Sequence, residues 1–395
     1  MSFTKRINAL QPSATMAVIE AATRLRGQGI DVISFGAGEP DFDTPDHIIA
    51  AANHAMATGH TRYTAASGTV ALKQAIAKKL KRDNGLDYEA NQVVVSNGAK
   101  HSLHNIMMAL FEEGDEVILL SPYWVTYPEL VKLSGASPVY IETKEADGFQ
   151  VTKELLMEGV TEKTKGIVVN TPSNPSGAVL NKASLQAIVD VCLAQDIWMI
   201  SDECYEALVY AGEHYSLAGF EGAYEKTVTV QTMSKAFAMT GWRMGYSASS
   251  GALAAAMGKF QGQATGCPNA IAQYASQVAL TEAPEFLGQW RKEFIERRNY
   301  MVDALNAMPG INCLLPEGAF YVFPKVADLF GKQAGDQVIE NDMDLTNYLV
   351  DEAHITVVPG SAFGAPEHVR LSYATSMDAI KTGLGRFADA VTKLN

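Results

Sequence analysis

The chain has 395 residues, 47% of them hydrophobic, and a formal net charge of −13. That composition supplies a sizeable core, and the length predicts two domains, because single cores stop growing at roughly 250–300 residues. The acidic balance argues against nucleic acid or an anionic membrane surface as a partner, since both would be repelled, but it leaves anionic small molecules open because a basic pocket can sit inside an acidic protein.

The opening stretch, MSFTKRINALQPSATMAV, lacks the continuous apolar run of a signal peptide, and a helical pattern starts after Ser13. Val93–Val95 predicts a strand, Ser96-Asn97-Gly98 a turn, and the following segment a helix with Leu103, Ile106, Met107 and Leu110 on one face. The run Lys78-Lys79-Leu80-Lys81-Arg82 before it is expected to be the solvated face of a helix. Val117–Leu120 and Gly166–Val169 are further strands, the second leading through a loop into a helix that aligns Leu185, Ile188, Val189, Cys192 and Leu193. Ile197–Ile200 and Thr227–Val230 continue the alternation. Strand, helix, strand, repeated, predicts an α/β fold with a mostly parallel central sheet covered by helices. The stretch from Gln261 to Thr281 is uncharged, but its Gln, Asn and Gly residues and Pro268 exclude a membrane span. After Tyr300 the pattern changes: Phe320–Phe323, Ile355–Val358 and Val369–Tyr373 read as strands, and Ile380, Leu384, Phe387 and Val391 lie along a final helix. The expected organisation is a large domain over 36–299 and a smaller α+β domain built from the two chain ends, 1–35 and 300–395. Four scattered cysteines, Cys192, Cys204, Cys267 and Cys313, form no C-x-x-C pair and suit a reduced, cytoplasmic setting.

Ligands of open α/β sheets bind beyond the carboxyl ends of the strands, and several polar residues fall there. Lys235, in QTMSKAFAMTGWRMGY, sits just past the strand Thr227–Val230, where desolvation would lower its pKa and free an amine for Schiff-base chemistry. Arg243 follows closely enough to offer a forked donor to a phosphate. Asp202, after Ile197–Ile200, is placed either to hold a pyridine nitrogen protonated or to act as an ordinary loop carboxylate or helix cap. Ser96-Asn97-Gly98-Ala99-Lys100 joins a strand to a helix start, which is an anion site or simply a turn with a solvated lysine. Asn174-Pro175 is either a surface turn or a tight turn with a cis bond that aims the Asn174 amide inward. Arg370, within His368-Val369-Arg370-Leu371-Ser372-Tyr373, is flanked by apolar residues and needs an anionic partner, from substrate or from an internal salt bridge. Trp124 in Ser121-Pro122-Tyr123-Trp124 is a core residue or a stacking surface. His101 and His104 lie near each other on a helix, but no Cys/His cluster supports a metal site, and none is expected.

Taken together and in this order, these segments resemble the class I, fold-type I aminotransferases, from Gln11-Pro12-Ser13-Ala14-Thr15 to Arg370-Leu371-Ser372-Tyr373. The resemblance implies pyridoxal 5'-phosphate as cofactor, carried by Lys235, with Asp202 on its ring nitrogen and Tyr205 and Asn174 on its phenolic oxygen. It implies a phosphate cradle of Gly98, Ala99, Lys100, Thr232 and Arg243, with Tyr63 contributed by the second subunit of a homodimer, and Trp124 stacked on the ring. Arg370, Asn174 and Gly38 would bind the substrate α-carboxylate. In Thr171-Pro172-Ser173-Asn174-Pro175-Ser176-Gly177, Ser176 replaces the family's commoner threonine and keeps its hydroxyl. The closest likeness is to the Iβ branch of the aspartate aminotransferases, through GEPDFDTP, SPYWV and VRLSYATS. There, residues matching Lys100, Ser13 and Thr15 help hold a distal carboxylate, which implies transamination of L-aspartate with 2-oxoglutarate. Gln11 stands where many members carry a lysine linked to prephenate use, so that activity is not expected. The family's commonly hydroxyl-rich stretch before Pro268 reads Gln261-Gly262-Gln263-Ala264-Thr265-Gly266-Cys267 here, a departure expected to alter a subunit-interface contact to the substrate side chain.

An aminotransferase for aromatic or other amino acids, or a pyridoxal phosphate lyase or decarboxylase, would keep the same cofactor residues. A non-catalytic regulator is expected to need an added DNA-binding segment, for which the resemblance leaves no room. A dehydrogenase would need a dinucleotide fingerprint, and none is present.

Overall fold

The computed structural model describes residues 3–281, 284–335 and 337–395. Its centre is a seven-stranded sheet whose strands, in chain order, are β1 (Val93–Ser96), β2 (Glu116–Ser121), β3 (Ser137–Glu142), β4 (Thr164–Asn170), β5 (Trp198–Asp202), β6 (Thr227–Thr232) and β7 (Gly245–Ala248). The spatial order is β1-β7-β6-β5-β4-β2-β3. All neighbours from β6 to β3 pair in parallel, and β7 runs antiparallel to both β6 and β1. The sheet is therefore mostly parallel, as the apolar runs predict. Strands buried on both faces need no polar alternation, and every residue of β1, β6 and β7 is buried.

Helices cover both faces. Ala99–Leu110 buries Leu103, Ile106 and Met107, while Leu110 stays half-exposed. Lys182–Ala194 buries Leu185, Ile188, Val189 and Cys192, but Leu193, expected on the same face, is 38% exposed. A helix turns 100° per residue, so Leu193 lies beside Cys192 but away from the sheet.

The two chain ends meet. Ile33–Ser34 pairs in parallel with Ile355–Thr356, and Val358–Pro359, Val369–Ser372 and Tyr321–Val322 form a separate antiparallel sheet. The last helix, Met377–Thr392, buries Ile380, Leu384, Phe387 and Val391 against this region. The boundary expected near Tyr300 falls inside Phe286–Asn306, an unbroken 21-residue helix, so no linker marks it. Among the described residues, no helix is long and apolar enough to cross a membrane.

The carboxyl ends of β1, β2, β4, β5 and β6 open on one side of the sheet, and Arg370 approaches that side from the antiparallel sheet. The site is built there.

Candidate active site

A cavity of about 500 Å³ lies at these strand ends, within the range of small-ligand sites. Lys235, Asp202, Tyr205, Asn174, Thr232 and Arg370 line it, together with Gly38, Ala99, Lys100, Trp124 and Arg243. Ser13 and Thr15 reach it from the start of the helix Ala14–Gly27. Gly98 adjoins Ala99 at the mouth of the same loop. Tyr63 does not line this cavity and is 98% exposed.

Lys235 follows β6 by three residues, and its Nζ donates to the Gly38 carbonyl at 2.5 Å. Burial lowers its pKa from 10.5 to about 8, because the charged form loses water that the apolar surroundings do not replace. Asp202 ends β5 at 4% exposure, and burial pushes its pKa up. Its Oδ2 accepts from the Tyr127 hydroxyl at 2.7 Å, and Oδ1 accepts from the Cys204 backbone N–H at 3.2 Å. The Tyr205 hydroxyl lies 2.8 Å from that of Tyr321.

Arg370 is 1% exposed, in a strand between two sheet partners. Its Nη1 donates to Asn174 Oδ1 at 2.8 Å and its Nη2 to the Gly36 carbonyl at 2.9 Å. The Tyr321 ring lies 4.5 Å from the guanidinium, and Nε has no partner among the described residues. Among the described residues no carboxylate pairs with it, so the internal salt bridge held open by the sequence is not found there. Asn174 is itself held: its N–H donates to Asn170 Oδ1, and Asn170 Nδ2 donates to the Asp202 carbonyl, both at 2.9 Å. The cis bond considered at Asn174-Pro175 is instead at Thr171-Pro172, with another at Ser121-Pro122.

The anion loop is defined by close approach. Gly98 has φ +85°, a conformation that favours glycine, and a Cβ there would push the Arg243 guanidinium out of its present place. Arg243 has φ +55°, a conformation rare for a side-chain-bearing residue and characteristic of functional turns. The loop ends at the first turn of Ala99–Leu110, where free backbone N–H groups point outward. Thr232 Oγ1 accepts from the Ser234 N–H at 3.1 Å, and Lys100 Nζ stands 5.0 Å from the Trp124 ring centre.

These features fit a flat, phosphorylated, carbonyl-bearing cofactor and an anionic substrate. The helix start with Arg243 could hold a phosphate and the amine of Lys235 could take a carbonyl, while Arg370 Nε and Thr15 Oγ1, without partners among the described residues, are buried polar atoms that a ligand would satisfy.

Sequence reasoning did not single out Tyr127, Tyr321, Glu39 or Thr240, all at or beside this cavity. Tyr127 follows Trp124 by three residues, across the turn that opens the helix Tyr127–Ser134, and nothing in its local sequence marks it. One expectation needs correction. Lys79, assigned to a solvated face, is 6% exposed and bonds Glu206, Asn84 and Gln231, because Glu206 comes from the segment after β5. In the stretch 261–267, Gln261 is fully buried and bonds Ser96, Asn105 and the Ala66 and Val95 carbonyls, while 262–265 are exposed.

The sequence profile of the family described as "Aminotransferase class I and II" matches residues 30–387. An aspartate aminotransferase of Geobacillus stearothermophilus is 45% identical over 388 residues, covering 98% of each chain. The crystal structure of the aspartate aminotransferase from Rhizobium meliloti superimposes with a TM-score of 0.97 at 42% identity, over 100% of both chains. The aspartate aminotransferase from Thermus thermophilus with maleate gives 0.94 at 40% identity, over 99% of this chain and 100% of that one.

Proposed function

The chain belongs to the class I and II aminotransferases, and from that premise we propose that it exchanges an amino group between L-aspartate and 2-oxoglutarate, using pyridoxal 5'-phosphate. The observation that carries this reading is one cavity holding a lysine of pKa about 8 beside a buried arginine whose Nε has no partner.

When bound, the cofactor supplies an aldehyde that takes up the amino group and a ring that accepts the electron pair left at the substrate Cα. The residues around it have separable tasks. Lys235 Nζ holds the cofactor at rest and, once released, moves a proton from the substrate Cα; a pKa near the working pH serves both directions. Asp202 keeps the ring nitrogen protonated, and Tyr205 with Asn174 binds the phenolic oxygen. Gly98, Ala99, Lys100, Thr232 and Arg243 hold the phosphate, with Tyr63 reaching in from a second subunit, and Trp124 covers one ring face. Arg370 binds the α-carboxylate through paired N–H donors, oriented by its bond to Asn174, with Gly38 permitting close approach.

A dicarboxylic substrate is supported by Lys100, Ser13 and Thr15 at the cavity's edge, by the aspartate aminotransferases above, and by maleate, a dicarboxylate, with which the Thermus thermophilus aspartate aminotransferase was solved. The division into 1–35 with 300–395 and 36–299, a homodimer with shared sites, and a cytoplasmic setting belong to the same reading. The described cysteines are all free, as a reduced compartment requires.

The test is a panel of half-reactions. Loaded protein is mixed with single amino acids and loss of the yellow absorbance is followed. Aspartate and glutamate should react fastest. If only aromatic or alkyl amino acids bleach the protein, the substrate assignment fails.

A further inference from the structure

Asp202 poses a physical problem. It is almost wholly buried, and burial favours its neutral form, yet a neutral acid cannot hold a ring nitrogen protonated. Among the described residues, no lysine, arginine or histidine pairs with it. Glu203, next in the chain, carries charge of the same sign and turns the other way, into bonds with Ser201, Ser216 and His214. The Cys204 thiol, held neutral by burial, also favours the ionised carboxylate, but a thiol is a weak donor. Two stronger neutral donors stabilise it, one on each oxygen: the Cys204 N–H at 3.2 Å and the Tyr127 O–H at 2.7 Å. The phenol makes the shorter bond. Tyr127 is fixed for this task, 2% exposed, in the first turn of the helix Tyr127–Ser134, with its ring edge-on to Trp124 at 5.4 Å between centres.

We propose that Tyr127 is a positioning residue for the reaction, whose hydroxyl keeps Asp202 ionised and oriented and so keeps the proton on the cofactor's ring nitrogen. The inference rests on the reading of Asp202 as that nitrogen's partner and adds the group that tunes it. Removing a strong donor from a buried carboxylate raises its proton affinity about tenfold or more, and the shared proton then moves from nitrogen toward oxygen.

Tyr127→Phe removes one oxygen and leaves the ring packing. The parent, Tyr127→Phe and Asp202→Asn are loaded with pyridoxal phosphate carrying ¹⁵N in the ring, and the nitrogen shift and cofactor affinity are recorded. The parent should show a protonated nitrogen and Asp202→Asn an unprotonated one. Tyr127→Phe should move toward the second and bind the cofactor about tenfold less tightly. With an analogue bearing CH in place of the ring nitrogen, Tyr127→Phe should bind no less tightly than the parent.

A Tyr127→Phe shift and affinity coincident with the parent's would overturn the proposal. So would an equal loss for the CH analogue, since that is the signature of packing alone. An unprotonated nitrogen in the parent would instead remove the Asp202 reading itself. Should Tyr127→Phe fail to retain the cofactor, the ¹³C carboxyl titration of Asp202 in the apoprotein, assigned by its loss in Asp202→Asn, must lie at higher pH in Tyr127→Phe; coincident curves contradict the proposal.

Discussion

Lys235 owes its lowered pKa to its place just past the end of β6, where the chain turns it into buried surroundings. Burial disfavours the ammonium, so the neutral amine appears as pH rises through about 8 rather than 10.5. At pH 8 about half of Lys235 is neutral, against roughly 0.3% of an unperturbed lysine. Amine-selective labelling of the apoprotein should therefore mark Lys235 first, with a rate midpoint near pH 8; a midpoint in the ordinary lysine range would refute the desolvation argument. Lys235→Ala should lower turnover by about 10³-fold or more, measured over multiple cycles. Residues of this kind are legible in sequence when their chemistry conflicts with their neighbours: Arg370 between Val369 and Leu371, or Lys235 after an apolar strand. Tyr127 and Tyr321 present no such conflict. Tyr321 is an aromatic residue among apolar ones and Tyr127 opens an ordinary short helix, and only the fold shows that their hydroxyls meet Tyr205 and Asp202.

Helix Val70–Asn84 is tied to the site segment by a buried ion pair that no local pattern reveals. Lys79 bonds Glu206, and Gln231, on β6, bridges Lys79, Glu206 and Tyr246. Glu203, Glu206 and His214 lie close enough together to suggest a metal cluster, but the Lys79 ammonium already supplies the cation. Lys79→Met leaves the Glu206 charge uncompensated and should cost roughly 3–5 kcal/mol in urea unfolding, with much of it recovered in Lys79→Met/Glu206→Gln. A loss under about 1 kcal/mol would mean that the pair is effectively solvated. The same limit governs the elements. Five strands of the central sheet are legible as apolar runs. Ser137–Glu142 is not, because it is an edge strand with mostly half-exposed or exposed residues, nor is Gly245–Ala248, whose buried residues are mainly small. Lys79 escapes charge patterning for a related reason: such patterning covers i,i+4 neighbours, and its partner is 127 positions away.

At the scale of the whole molecule, the chain ends close over the strand ends, so Arg370 and Ser13 reach a cavity whose floor is the central sheet. Tyr63, 98% exposed and outside its own chain's cavity, is accounted for if it completes the site of a second copy. Hybrid dimers of a Lys235→Ala chain with a Tyr63→Phe chain test this. One site then carries both lesions and the other carries none, so half the parent activity should return with unaltered cofactor retention; activity no better than the Tyr63→Phe homodimer would exclude sharing. That arrangement, like the substrate assignment, depends on a single covalent attachment. The most direct measurement is borohydride reduction of the loaded protein followed by peptide mapping. The account predicts one cofactor-derived mass, on the peptide containing Lys235. A label on any other lysine, or none on a protein that binds the cofactor, would contradict it.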